Sequence, residues 1–117
     1  MSVTAPIPPE HVYYLKASDD TPVWYTLFDG IMDPVKTLID SGSSRNFINS
    51  VFVFKHKLDT TTLRNPCAVI GIDGQEVENR ITAFCNITFS IEGRTFTRRF
   101  YIMPLGNTDA ILGMTWL

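Results

Sequence analysis

From residue 81 to residue 91 apolar and polar side chains alternate with one exception. Ile81, Ala83, Cys85, Ile87, Phe89 and Ile91 hold the odd positions, and the even ones are polar apart from Phe84. Successive strand residues point to opposite faces, so the spacing predicts a strand that buries those odd positions. Glu92-Gly93 turns the chain, and "RTFTRRFYIMP" (94–104) returns as the partner strand, its basic run reading as a solvated face. "HVYYLKA" (11–17), "VWYTLFDG" (23–30) and "VKTLID" (35–40) are aromatic and β-branched and read as strands. Asp29-Gly30 marks a hairpin between the last two, and Asp73-Gly74 marks another inside "NPCAVIGIDGQEVENR" (65–80). "NSVFVFKHKL" (49–58) suits a strand by its valines and phenylalanines. Asn49 or Ser50 as N-cap, with basic residues in a last turn, favours a short helix there instead. "AILGMTWL" (110–117) brings an apolar run to a glycine and then to a candidate first helical turn. The pattern predicts an all-β domain: a small sandwich or a closed or partly closed β-barrel of antiparallel hairpins, with one or two short helices.

Composition narrows the class. The 117 residues suffice for one domain with a core. Residues 1–22, Pro-rich over the first ten, read as a partly extended N-terminal arm, and 23–117 as the domain. An apolar content of 44% excludes a disordered tail. The net charge of −2, with both signs scattered, leaves no footprint for nucleic acid. No apolar run reaches the length of a membrane span, and "MSVTAPIPPE" lacks the basic and apolar regions of a secretory signal. A cytoplasmic protein is expected, with Cys67 and Cys85 reduced and the Asn86-Ile87-Thr88 sequon idle. His11 and His56 are isolated, with no ligand spacing near the cysteines, so both are expected at the surface and neither a metal nor a cofactor is expected. No serine stands on an elbow motif and no Gly-rich phosphate loop precedes a helix.

The candidate chemistry lies in "TLIDSGSSRNFI" (37–48). Apolar residues deliver Asp40 to a strand end, Ser41-Gly42 follow, and "NFI" resumes behind. Asp, Ser and Gly are also ordinary turn residues, so the triplet alone is a weak signal. The order of parts is what carries weight: this motif, then the glycine-tipped "VIGIDGQEV" (69–77), then "ILGMTWL" (111–117). Over about residues 23–117 this order resembles the retropepsin-type aspartic proteases, above all those of Gypsy-type LTR retrotransposons and genes domesticated from them. The "NFI" and "WL" details are similar to the Gypsy branch.

The resemblance implies an aspartic endopeptidase active as a homodimer, with Asp40 of each copy catalytic at a two-fold axis. Gly42 and Ser43 would complete the active-site loop, and the Ser41 hydroxyl would hydrogen-bond across the axis. Ile70, Gly71, Ile72, Asp73 and Gly74 would form a flap over an extended peptide, and Ile111, Leu112 and Gly113 the closing motif. Ile39, Ile70, Ile111 and Leu112 are expected in the core, with some of them lining pockets. The implied substrate is a Gag or Gag-Pol polyprotein, processed within virus-like particles if the domain belongs to one. The reading from another class is a catalytically silent module of the same fold that grips extended peptides. Three departures stand out: Ser43 replaces the usual alanine, Ser44 and Met114 replace an acidic residue and an arginine that pair in many retroviral members, and no terminal helix and strand follow Leu117. A weak dimer, or largely a monomer, is therefore expected of the isolated chain.

Overall fold

The computed structural model describes residues 11–15, 17, 21–77 and 79–113. The first ten residues and Met114–Leu117, with the expected helical turn and the "WL" pair, lie outside the described residues. In chain order the elements are β1 (Val12–Tyr14), β2 (Val23–Phe28), β3 (Val35–Ile39), β4 (Asn46–Asn49), α1 (Ser50–Lys55), β5 (Thr61–Ile70), β6 (Ile81–Ile91), β7 (Arg94–Met103) and β8 (Ala110–Leu112).

Hydrogen bonding runs round a closed ring, β6-β2-β3-β8-β4-β7 and back to β6. Closure leaves no edge within the ring. β5 pairs outside it along β6, and β1 is added to β5. The all-β closed barrel with one short helix is as expected, but β3–β8, β4–β7 and β1–β5 pair in parallel where the pattern predicts antiparallel hairpins. The β6–β7 hairpin is its longest ladder, from Phe84↔Tyr101 to Ile91↔Arg94.

Two apolar clusters fill the molecule. One packs Phe28, Val35, Ile48, Phe52, Phe89 and Phe100 inside the barrel; the other packs Tyr13, Phe47, Val69, Phe84 and Tyr101 beneath β1 and β5. Cys67 and Cys85 are free and buried, one in each cluster. The alternation in β6 survives with one exchange: Ala83 is half-buried and Phe84 is buried. The reason is tertiary. On its face of β6, Phe84 packs with Tyr13, Phe47 and Tyr101 of the second cluster, and the Arg99 guanidinium lies 3.7 Å from its ring centre. The outer face of β6 is covered there as well as the inner one.

The ambiguous 49–58 stretch forms a helix. The Asn49 side chain accepts from Val51 N–H and caps it, while Lys55 stands in the last turn. Phe52 and Val53 turn inward, and the Phe52 ring meets Phe28 edge-on at 5.9 Å. His56 corrects a surface expectation: it is half-buried, its ring 4.3 Å from that of Phe52. His11 is half-buried too. Ile111 and Leu112 are buried as expected, whereas Ile39 and Ile70 are only half-buried. Among the described residues no helix is long and apolar enough to cross a membrane.

Candidate active site

β3 runs parallel to β8, with Thr37↔Ala110, Leu38↔Ile111 and Ile39↔Leu112 in register. The pairing continues one residue further, because Asp40 N–H donates to Leu112 O at 2.8 Å. This bond sets Asp40 at the end of the ladder, where β3 leaves the barrel. Below it, buried Thr37 and Thr26 share a 2.9 Å hydroxyl contact, and Thr37 Oγ1 also donates to Val35 O.

The turn after Asp40 folds back on its own carboxylate. Ser43 N–H donates to Asp40 O at 3.1 Å. Gly42 N–H donates to Oδ1 at 3.0 Å, and the Ser43 hydroxyl donates to Oδ2 at 2.5 Å. Both carboxylate oxygens are thereby held in a fixed orientation. Asp40 is 9% exposed and Ser43 fully buried, while Ser41 and Gly42 are exposed. The loop therefore turns its middle residues outward and its acid inward.

The closing glycine fastens this loop from behind. Gly113 N–H donates to Asn46 Oδ1 at 2.9 Å, and Asn46 Nδ2 donates to Arg99 O at 3.2 Å. A Cβ at Gly113 would come within 2.6 Å of Ser43 O and would also collide with Arg45 O. Only glycine lets the backbones approach so closely. Asp40, Ser43, Leu112 and Gly113 are thus one assembly built from β3, β4 and β8.

The 69–77 hairpin is a separate element. Ile70 bridges Glu76, Gly71 N–H donates to Gln75 O, and Gly74 N–H donates to Gly71 O. Asp73 Oδ1 accepts from Gln75 N–H at 3.0 Å. Gly74 has φ +80°, a conformation that favours glycine at the tip. Ile72 is 63% exposed there. The hairpin reaches the Asp40 loop through β1. Tyr14 is in register with Ile70, and its N–H donates to Ser44 Oγ at 2.8 Å. Ser44 N–H returns a bond to Tyr14 O at 2.9 Å. A cavity of about 270 Å³ opens against β3 and β8, lined by Leu38, Pro104, Leu105, Thr108 and Ile111 together with Leu15 and Ala17.

The Tyr13 phenol donates to Tyr101 Oη at 3.1 Å. Burial pushes its ionisation well above the ordinary tyrosine range, and hydrogen bonds with Cys67 and Tyr101 add to this. Among the described residues no cluster of His, Cys, Asp or Glu is arranged to hold a metal.

Residues 36–117 match the family of PEG10/RTL1 protease domains. The chain belongs to that family, a domesticated Gypsy-retrotransposon derivative. The fold is similar to EIAV protease in complex with the inhibitor HBY-793, with TM-score 0.57 and 16% identity over 85% of this chain and 86% of that one. It is likewise similar to the retroviral protease-like domain of Ddi1 from Leishmania major, with TM-score 0.59 and 17% identity over 83% of this chain and 74% of that one. At such identities the likeness is one of fold. No curated protein matches the chain significantly.

For this PEG10/RTL1-type protease domain, reading the sequence missed Tyr14, Asn46 and the partner of Ser44. Asn46 had a signal: a polar residue at the head of an apolar strand needs a partner once buried. The Tyr14–Ser44 pairing had none, because its two residues lie far apart in the chain.

Proposed function

We propose that this chain is an aspartic endopeptidase that works as a homodimer, with Asp40 of each copy facing its mate across a two-fold axis. The observation that carries this is the Asp40 carboxylate, held by Gly42 N–H and the Ser43 hydroxyl in a loop whose Ser41 and Gly42 face outward. One acid per chain is not enough for peptide hydrolysis. Two carboxylates a few ångströms apart do not both ionise readily, so the pair keeps one proton near neutral pH; aspartic proteases are the standard instance of this principle. The charged member takes a proton from water as the water attacks the carbonyl. The neutral member polarises that carbonyl and then protonates the departing amine. The 69–77 hairpin covers an extended peptide, with Ile70–Gly74 on its main chain, and the cavity by Leu38 and Ile111 receives a side chain. Family membership supports a Gag-type polyprotein as substrate.

Asp40→Asn keeps nearly the same volume and removes the shared charge. Its fold should survive by circular dichroism while cleavage of an extended peptide disappears. Wild-type cleavage should rise faster than linearly with protein concentration. It should also follow a bell in pH whose two limbs belong to the pair. Wild-type cleavage retained by Asp40→Asn would reduce Asp40 to a turn residue. No cleavage by a fused dimer would leave a peptide-binding module.

A further inference from the structure

β1 makes main-chain hydrogen bonds on both of its sides. On one side it runs parallel to β5, with Val12↔Ala68, Tyr13↔Val69 and Tyr14↔Ile70 in register. The pairing ends where Leu15 N–H donates to Ile70 O at 2.9 Å. On the other side Tyr14 exchanges two bonds with Ser44, N–H to Oγ at 2.8 Å and O from N–H at 2.9 Å. Ile70 is the residue from which the 69–77 hairpin rises, and Ser44 lies in the loop that follows Asp40. A short extended segment is therefore clamped between the hairpin and the acid loop. Its side chains alternate as a bound strand's do. Tyr13 enters the cluster around Tyr101, Tyr14 is 44% exposed, and Leu15 lines the cavity by Leu38 and Ile111. That is the pose an extended peptide takes when it adds to a strand edge: main-chain bonds hold it and alternate pockets read it.

We infer that residues 12–15 occupy, in cis, the groove in which an extended peptide substrate binds, so that the chain's own N-terminal segment must leave before substrate can enter. This rests on the hydrolase reading for the meaning of the groove, but not on cleavage for its test. A tethered occupant competes at an effective concentration on the order of millimolar, so weak cis pairing suffices to keep free peptide out. The groove's preference follows from the occupant: an aliphatic side chain at the Leu15 position, beside an aromatic one whose main chain bonds Ser44.

The test uses the full chain carrying Asp40→Asn, so that no peptide is cut, and a labelled synthetic peptide of the sequence HVYYLKA, residues 11–17. Leu15→Pro removes the N–H that bonds Ile70 O. The doubly substituted chain should bind the probe about tenfold or more tightly than Asp40→Asn alone. The Ser44 amide should exchange slowly in Asp40→Asn, quickly after Leu15→Pro, and slowly again once the probe is added. If Leu15→Pro does not fold, Leu15→Asp serves: it keeps the main-chain donor, places a charge against the apolar cavity wall, and should give the same gain in binding. Equal probe affinity with and without a folded Leu15 substitution, or a Ser44 amide indifferent to it, overturns the inference. Absence of cleavage by the Asp40-intact chain bears on the hydrolase reading alone.

Discussion

Ser43 donates its hydroxyl to Oδ2 of Asp40 at 2.5 Å, from a side chain with no exposed surface. The residue that resemblance marks as a departure is thus a direct partner of the acid. Ser43→Ala removes this hydrogen bond while leaving the Gly42 N–H on Oδ1. The variant should fold and lose about 1–3 kcal/mol in denaturant unfolding, the usual cost of leaving a buried acceptor without its partner. Its peptide cleavage should fall in kcat more than in KM, since the acid is less well held and the groove is untouched. Chemical denaturation alongside steady-state kinetics checks both.

Gly113→Ala should be far more damaging than its single methyl suggests. The new Cβ meets two backbone oxygens, Ser43 O and Arg45 O, and neither belongs to a flexible side chain that can step aside. Overpacking of this kind costs about 1–3 kcal/mol. Here the strain falls on the loop that carries Asp40, so thermal stability and cleavage should drop together. A Gly113→Ala chain with wild-type melting temperature would show that the loop yields easily.

The 69–77 hairpin should be more mobile than the β6–β7 hairpin. Its ladder is short and its tip is exposed, whereas β6 pairs with β2, β5 and β7. Without peptide, amide exchange at residues 70–76 should run faster than at 83–89. Equal protection in the two stretches would deny the hairpin a role as a lid.

Alkaline pH should destabilise the domain through its buried thiol and phenol. Burial, with the negative charge of Asp59 adding, pushes Cys85 from 9.0 up to about 11. The native state then keeps its proton where the unfolded chain has lost it. Stability from this group is intact below pH 9 and declines through about pH 11. Tyr13 acts in the same direction at still higher pH. Cys85→Val should flatten the pH 9–11 fall in denaturation midpoint. Cys85 itself should resist alkylation at pH 8 until denaturant is added, because the thiolate is the reactive form.

Much of the barrel was legible because its strands follow simple physical periods. The odd-position apolar residues of 81–91 show one buried face, and five of the six are buried. Phe84 breaks the rule because Tyr13, Phe47, Tyr101 and Arg99 cover the second face, a contact between segments that alternation within one strand does not encode. The 49–58 stretch was ambiguous for a related reason. Its composition suits a strand, and the helix is decided by Asn49, which caps Val51 N–H and donates to Gly106 O and Thr108 O. Those two carbonyls arrive from the far end of the chain.

The sequence by itself determined the strand-end aspartate, the turn that follows it and the glycine-tipped hairpin, since each depends on near neighbours and on the backbone freedom of a few residues. Only the tertiary structure decided what holds them. Asp40 is fixed by Leu112 O, Gly113 by Asn46, and Ser44 by Tyr14. Hydrogen bonds across such separations in the chain form because barrel closure brings β3, β4 and β8 together and lays β1 against the acid loop. Residue type specifies a donor or an acceptor; which of the many partners it meets is a property of the closed sheet.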